Sequence, residues 1–341
     1  MNKTLIFIFC VFHVILFAQH NQSGDASPHG LVKWMNFKEA QEANKKQAKP
    51  FLIDVYTDWC GWCKHMNKTT YSDPGLANYI NTYFYPVQFD AETHDTIEYN
   101  GVKYWNESKE KKSPHQLATK MLNGKLSYPS TIFVNNNFQF SLLSQGFLEV
   151  RKIEPLLIYT VENVFRTTQY DDFRVNFERT FYDTTKIVDE VKWYSMNEAL
   201  ALNKKKPKKI LVDIYAGFCN ACKVMNKTVY NNKELAKYIN DNFYLVDMNA
   251  ETKEEIEFKG VKYKTGDLPN FPFHPLTLEL TRKNLIFPTL SILNENQDVI
   301  DVLPFYMSDQ VLLPVFHFYG EDKYKSMKWE DFLKEFKEKK K

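Results

Sequence analysis

Two stretches of this sequence read almost alike: residues 51–66 are FLIDVYTDWCGWCKHM, and residues 210–225 are ILVDIYAGFCNACKVM. Each begins with a short apolar run rich in β-branched residues, which is typical of a strand buried on both faces. An aspartate stands within each run, and two cysteines in a CxxC spacing follow it. The repetition indicates that a motif, or a whole domain, occurs twice in the chain.

A constant offset of 159 positions relates the two halves, beginning with Cys60 and Cys219. The same offset relates Trp34 to Trp193, Asp54 to Asp213, Tyr71 to Tyr230, His115 to His274 and Pro129 to Pro288. Because no insertion interrupts the offset, a complete domain is duplicated, and each copy is long enough to form its own core. We place the boundary in the polar stretch 183–190 and expect domains at 31–182 and 190–341.

The order of elements within each copy predicts an α/β fold. A capping-box pattern at 36–39, and again at 195–198, predicts the start of a first helix. The apolar strand, the CxxC pair and a second helix follow, and then come one strand and a later pair of strands. Crossovers of the strand-helix-strand type make part of such a sheet parallel. We therefore expect each copy to be a central mixed β-sheet flanked by helices.

Charge and composition argue for an ordinary globular protein. The chain has 44 Lys and Arg against 42 Asp and Glu, a net charge of +2, and 44% of its residues are apolar. Its lysine runs adjoin acidic stretches, so we interpret them as solvated surface and expect no nucleic-acid partner.

The N-terminus predicts export. Lys3 precedes an apolar run from Leu5 to Phe17 that only His13 interrupts. This run suits a signal peptide and is shorter than the roughly 20 residues of a spanning helix. We expect residues 1–19 to be a signal peptide, the mature protein to be periplasmic, and no later segment to span a membrane. Cys10 is then removed, and the two CxxC pairs hold the remaining cysteines.

These features together resemble the thioredoxin superfamily. The shared features are an apolar strand, an aspartate six residues before the first cysteine, an aromatic residue just before it, a lysine after the pair, and a later proline that leads into a strand. They occur in this order in both copies. The resemblance implies two tandem thioredoxin-like domains, the first with a CGWC site and the second with a CNAC site. Gly61-Trp62 and Asn220-Ala221 differ from the Gly-Pro of cytosolic thioredoxins, which leaves the direction of electron flow open.

The resemblance also assigns catalytic roles. The first cysteine of each pair, Cys60 or Cys219, lies at a helix start, where free N–H groups lower a thiol pKa, and it acts as the nucleophile. The second, Cys63 or Cys222, resolves the mixed disulfide. The resemblance gives Asp54 and Asp213 the role of base toward the resolving thiol. Neither an organic cofactor nor a metal is required, because the sulfurs carry the electrons.

A substrate-binding surface is implied beside each pair. In the family the later proline is cis and lies against the cysteines, so an extended substrate pairs with the backbone that precedes it. The residues expected on this surface are Trp59, Trp62, Tyr128 and Pro129 in the first copy, and Phe218, Phe287 and Pro288 in the second.

The predicted function is that of a thiol-disulfide oxidoreductase of the cell envelope. We expect it to exchange disulfides with exported proteins as a reductase, and to receive electrons from a membrane protein. Two alternatives stay open: a disulfide oxidase or isomerase, and a non-catalytic binding or chaperone-like module.

The individual residues also have structural alternatives. The cysteines could bind zinc, although zinc-binding pairs usually lie about 15 to 20 residues apart. Each pair could be a structural disulfide, the aspartates could be structural carboxylates, and the tryptophans could be packing residues. For His115 and His274 a structural hydrogen bond is favoured over a proton-shuttling role.

Overall fold

The protein contains two sheet-and-helix units that follow each other along the chain. The computed structural model describes residues 30–185 and 190–339. The predicted signal peptide, residues 1–19, lies outside the described residues. Within the described part, the two units repeat the same order of elements.

The first unit has six helices and six strands, and a few 3₁₀ turns connect them. Its elements are α1 (Phe37–Lys46), β1 (Phe51–Tyr56), α2 (Gly61–Lys68), α3 (Pro74–Tyr83), β2 (Tyr85–Asp90), β3 (Ile97–Tyr99), β4 (Val102–Tyr104), α4 (Gln116–Met121), β5 (Ser130–Val134), β6 (Ser141–Gln145), α5 (Val150–Val161) and α6 (Tyr170–Phe181).

The second unit repeats this order and adds one short strand at its beginning. Its elements are β7 (Trp193–Tyr194), α7 (Met196–Lys205), β8 (Lys209–Tyr215), α8 (Asn220–Val224), a π-helical turn (Met225–Val229), α9 (Lys233–Asn242), β9 (Phe243–Asn249), β10 (Ile256–Phe258), β11 (Val261–Tyr263), α10 (Leu276–Leu280), β12 (Thr289–Leu293), β13 (Val299–Pro304), α11 (Asp309–Gly320) and α12 (Trp329–Lys339).

Each unit has one mixed sheet, as the sequence predicts. The first sheet has the order β2-β1-β5-β6, in which β1 is parallel to β2 and antiparallel to β5. The second has the order β13-β12-β8-β9-β7 with the corresponding directions. The central strands β1 and β8 are buried along almost their whole length, which explains their continuous apolar sequence.

Side-chain caps fix the starts of several helices. The predicted capping boxes are confirmed at Asn36 with Glu39 and at Ser195 with Glu198. In α3, Asp73 accepts a hydrogen bond from the Leu76 N–H, and proline occupies the first helical position. In each unit, the long segment before the cis proline holds a small β-hairpin and a short helix.

The two units pack against each other through the last helices of the first. Helices α5 and α6 contact α8, and α6 also contacts the π-helical turn. One apolar cluster joins Phe173 of α6 to Ala221 and Met225 of the second unit. Phe173 meets the ring of Tyr306 edge-on at 5.1 Å, and Asn176 Nδ2 donates a hydrogen bond of 3.1 Å to the Tyr306 hydroxyl. The helix that carries the second CxxC pair is therefore covered by the first unit.

This interface predicts a strong effect of truncating Phe173. Phe173 is fully buried, so F173A removes a ring that nothing else can replace, and it should lower the free energy of unfolding by about 3–5 kcal/mol. V175A, on the exposed side of the same helix, is the matched control and should change it by less than about 0.5 kcal/mol. Urea unfolding followed by circular dichroism measures both. If both substitutions lowered the free energy of unfolding equally, the burial of Phe173 between the two units would be contradicted.

Candidate active site

The register of the sheet brings the prolines to the cysteine pairs. Val55 of β1 lies opposite Ser130 of β5, so Pro129 stands beside the end of β1, where the chain turns toward α2. In the second unit Ile214 lies opposite Thr289, which gives Pro288 the same place. The Tyr128–Pro129 and Phe287–Pro288 peptide bonds are both cis.

Each first cysteine caps the helix that carries its pair. Cys60 is the N-cap of α2, and its Sγ accepts the Cys63 N–H at 3.1 Å. Cys219 caps α8 in the same way and accepts the Cys222 N–H at 3.1 Å. Both pairs form disulfides, Cys60–Cys63 and Cys219–Cys222. Each disulfide thus lies at a helix start, the setting in which thiol-disulfide exchange is favoured.

The aspartate of the first strand is buried and has weak partners. Asp54 is 2% exposed. Its carboxylate accepts long hydrogen bonds from the Tyr71 hydroxyl at 3.4 Å and from Gln88 Nε2 at 3.5 Å. Burial raises the pKa of Asp54 to about 7, and the two hydrogen bonds only partly oppose this rise. Its carboxyl group can therefore hold or release a proton near neutral pH.

The second aspartate has a different neighbour. The Tyr230 hydroxyl donates to Asp213 at 3.2 Å, but the position opposite Asp213 in the parallel strand is Asp247 rather than glutamine. Burial raises the pKa of Asp213 to about 7, and the charge of Asp247 adds to the rise. Sequence reasoning paired Tyr71 with Tyr230 by their offset but assigned them no contact with the aspartates. The offset also aligns Gln88 with Asp247. This change from a neutral to an acidic residue is the feature of the sequence from which the difference between the two sites could have been predicted.

An exposed aromatic surface lies beside the first pair. Trp59 is 56% exposed and Trp62 is 62% exposed. The Trp59 indole N–H donates to the carboxylate of Glu92, and the ring meets Tyr128 edge-on at 6.1 Å. Trp62 lies 5.7 Å from the ring of Phe147. The structure thus brings Trp59 to Tyr128, which precedes the cis Pro129, while Trp62 packs separately against Phe147.

The surroundings of the second pair are only partly equivalent. Phe218 is 48% exposed and meets Phe287 edge-on at 6.0 Å, as Trp59 meets Tyr128. Ala221, however, occupies the position of Trp62 and is fully buried against the first unit. The second site therefore lacks an exposed ring at the position that Trp62 occupies in the first.

The two histidines in equivalent positions make structural contacts. His115 is fully buried and caps α4, where its Nδ1 accepts the Leu117 N–H at 3.1 Å. Its Nε2 lies 3.1 Å from a backbone carbonyl oxygen, that of Asp95. His274 is equally buried, with its Nε2 at 3.2 Å from the Glu254 carbonyl oxygen. Burial lowers the pKa of both imidazoles, which favours the neutral form.

Membrane-spanning helices and metal clusters are both absent from the described part of the chain. No helix within 30–185 and 190–339 is both long and apolar enough to cross a bilayer. The same residues contain no group of three or more His, Cys, Asp or Glu side chains that could hold a metal ion.

A protein-family model matches most of the chain in two segments. The family is Thioredox_DsbH, described as "Protein of unknown function, DUF255", and it matches residues 25–152 and residues 173–303. The chain therefore belongs to the Thioredox_DsbH family. This membership and the two sheets confirm the predicted thioredoxin-like fold in two repeats, which we call the first and the second repeat.

Short regions also resemble characterised relatives. "Thiol:disulfide interchange protein DsbD" of Vibrio vulnificus strain YJ016 is 41% identical over 64 residues, which are 18% of this chain and 11% of the relative. The DsbD of Pectobacterium atrosepticum is 37% identical over 46 residues, which are 14% of this chain and 8% of the relative. The chain thus spans about a tenth of the length of the curated relatives it matches.

Solved structures resemble parts of the chain. A thioredoxin-fold protein from Helicobacter pylori is 23% identical with a TM-score of 0.30, over 47% of this chain and 89% of that one. A putative disulphide-isomerase from Bacteroides thetaiotaomicron is 22% identical with a TM-score of 0.29, over 40% of this chain and 98% of that one.

The raised pKa of Asp54 predicts a pH-dependent gain of stability on substitution. In the unfolded chain this carboxyl ionises near the ordinary aspartate pKa of 3.8, whereas in the folded protein it stays protonated until about pH 7. Folding therefore loses stability as the pH rises between these two values. D54N removes that loss and should be more stable than the wild type by about 3–4 kcal/mol at pH 8, with little gain at pH 4.

Urea unfolding at the two pH values measures this difference. The matched control is D58N, which makes the same chemical change at an exposed position close to the same cysteine pair. An equal gain for D54N at pH 4 and pH 8 would mean that the buried charge is not its cause.

Proposed function

We propose that this protein is a thiol-disulfide oxidoreductase of the cell envelope that reduces disulfides in exported protein clients. The observation that carries the proposal is the first site: a CxxC disulfide at the start of α2, beside a cis proline and an exposed aromatic surface. Family membership and the short regions of similarity to thiol:disulfide interchange proteins support it. The predicted signal peptide supports the location, and the repeats are proposed to span 31–182 and 190–341.

The catalytic cycle follows from thiol-disulfide chemistry. The Cys60 thiolate attacks one sulfur of a client disulfide, the client S–S bond breaks, and the second client sulfur leaves and takes a proton. Asp54, whose pKa of about 7 leaves part of it ionised near neutral pH, then accepts the proton of the Cys63 thiol. The Cys63 thiolate attacks Cys60 Sγ, which releases the first client sulfur and re-forms the Cys60–Cys63 disulfide. Two electrons have moved from the protein to the client.

The aromatic surface binds the client during this exchange. Trp59, Trp62 and Tyr128 offer large apolar faces, which suit an extended or partly unfolded polypeptide without demanding one sequence. The backbone of Tyr128, which precedes the cis Pro129, is proposed to pair with such a segment, as the resemblance to the thioredoxin superfamily implies. For further turnover a dithiol donor must reduce the disulfide again, and a membrane protein is the proposed donor.

Trapping the mixed disulfide tests the proposed roles. The first site is isolated by the substitutions C219S and C222S. In that background C63S leaves Cys60 without its resolving thiol, so reaction of the reduced protein with a disulfide-bonded peptide should build up a covalent adduct at Cys60. C60S in the same background is the matched control. Because it lacks the attacking thiol, it should reduce the disulfide-bonded peptide no faster than the uncatalysed reaction does. Intact-protein mass spectrometry and peptide mapping detect the adduct.

The direction is tested with the same peptide in both redox states. If the protein is a reductase, its reduced form should reduce the disulfide peptide faster than its oxidised form oxidises the dithiol peptide. The opposite order of the two rates would indicate an oxidase. The peptide could instead bind without forming an adduct in C63S and without being reduced by the unsubstituted chain. That result would contradict the enzymatic proposal and favour a binding module.

A further inference from the structure

The second CxxC site contains a side chain from the first repeat. Glu162 directly follows α5, and its carboxylate reaches the helix start that carries the second cysteine pair. Oε1 accepts the Asn220 N–H at 3.0 Å, and Oε2 accepts the Ala221 N–H at 2.6 Å. Oε2 also lies 3.6 Å from Cys219 Sγ. In the disulfide this sulfur carries no hydrogen, so the contact with Sγ is not a hydrogen bond in this form.

At the first site, no carboxylate of the described residues makes the equivalent contacts. The equivalent amides belong to Gly61 and Trp62, and in residues 30–185 and 190–339 no side chain accepts their hydrogens. Glu321 occupies the position of Glu162 in the second repeat, but its carboxylate lies 2.7 Å from His317 Nδ1 on its own helix. The two equivalent glutamates therefore make different contacts. In the described residues, Glu162 faces a cysteine pair and Glu321 does not.

The charged and titratable groups around Glu162 come from two elements besides its own. Lys223 of α8 favours the carboxylate, and the charge of Glu162 in turn helps to raise the pKa of Tyr79 on α3. Burial is the largest influence and raises the pKa of Glu162 to about 7, against the opposing effect of the two amides that donate to it. Cys219 is the remaining titratable neighbour once the disulfide is reduced.

The contacts have a direct consequence for the reduced site. A thiolate at Cys219 would lie next to the carboxylate and would compete with it for the first amides of the helix, and both effects disfavour the thiolate. A protonated Cys219 could instead donate its S–H to Glu162. At Cys60 no carboxylate from the part of the chain that the structure describes accepts these amides, so a Cys60 thiolate does not compete with such a carboxylate.

We propose that Glu162 is a functional residue of the second CxxC site that holds Cys219 as a thiol, so that Cys60 is the faster nucleophile of the two. The inference rests on the proposed function and adds a division of labour between the sites. Reduction of the Cys219–Cys222 disulfide by a dithiol breaks the S–S bond and adds two electrons and two protons, while the donor becomes a disulfide. The second site then keeps its electrons longer than the first when a client disulfide is present.

The pH dependence of alkylation tests this role. The fully reduced protein is exposed to short pulses of iodoacetamide between pH 4 and 10, and the modification of Cys60 and of Cys219 is quantified by peptide fragmentation. In the wild type the midpoint for Cys219 should lie above that for Cys60. E162Q keeps an acceptor for the amides but removes the charge, so the Cys219 midpoint should fall and its rate at pH 7 should rise about tenfold, as expected for one pKa unit.

Two variants separate charge from packing. E162D keeps the charge and should retain a raised Cys219 midpoint, while E321Q changes the equivalent glutamate away from the site and should leave both midpoints unchanged. If E162Q only loosens the interface, the alkylation rate at high pH rises while the midpoint stays, and the proposal is overturned. An unchanged Cys219 profile in E162Q overturns it as well.

A parallel activity measurement separates a failure of the Glu162 role from a failure of the proposed function. Reduction of a disulfide peptide by the wild type in the same preparations reports whether the protein is an oxidoreductase at all. Normal peptide reduction with an unchanged Cys219 midpoint in E162Q rejects only the role of Glu162. Absence of peptide reduction, with a shifted midpoint, rejects the enzymatic proposal but leaves the electrostatic role of Glu162 standing.

Discussion

The antiparallel pairing of β1 with β5, and of β8 with β12, is the constraint on which both cysteine sites depend. Its register sets each cis proline beside the end of the strand that leads into a CxxC helix. A slip of one residue would turn every side chain of the strand to the opposite face. It would turn Asp54 and Asp213 away from the tyrosines that contact them. The buried core and the chemistry of the site are thus fixed by the same hydrogen-bond ladder.

The two repeats share this framework and differ in what surrounds it. The central strand, its aspartate, the tyrosine that contacts it and the cis proline recur at the same offset in both repeats. The neighbours that face other parts of the molecule differ. Trp62 is exposed, whereas Ala221 is buried under the first repeat, and Gln88 is replaced by the acidic Asp247. The protein therefore carries two sites with one chemistry and different surroundings.

Much of the fold is predictable from local patterns. The capping boxes and the apolar central strand depend on nearby residues, and both match the structure. The constant offset extends the same prediction to the second copy. The hairpins in the long segments before the cis prolines could not be predicted, since strands of three residues are too short to show a periodic pattern. Helices α5 and α6 went unpredicted, although α5 has apolar residues at helical spacing around Pro155.

The contacts between the repeats could not be read from the sequence. Glu162 and Cys219 are 57 residues apart, and no spacing rule connects a residue after one helix with the start of another. The offset even misleads here, because it pairs Glu162 with Glu321, whose carboxylate lies against its own helix. Only the packing of α5 and α6 on α8 brings the carboxylate to the sulfur, and that packing is a tertiary property. The candidate site was therefore predictable within each repeat but not between them.

A redox titration of the two cysteine pairs tests the central claim most directly. The mature protein is equilibrated in dithiol/disulfide buffers, free thiols are trapped by alkylation, and the oxidised fraction of each pair is counted by peptide mass spectrometry. The proposed function predicts that the Cys60–Cys63 pair titrates reversibly within the range of known oxidoreductases, about −120 to −270 mV. If both pairs stay oxidised below about −300 mV, where structural disulfides lie, they do not exchange electrons with clients and the proposed function is wrong.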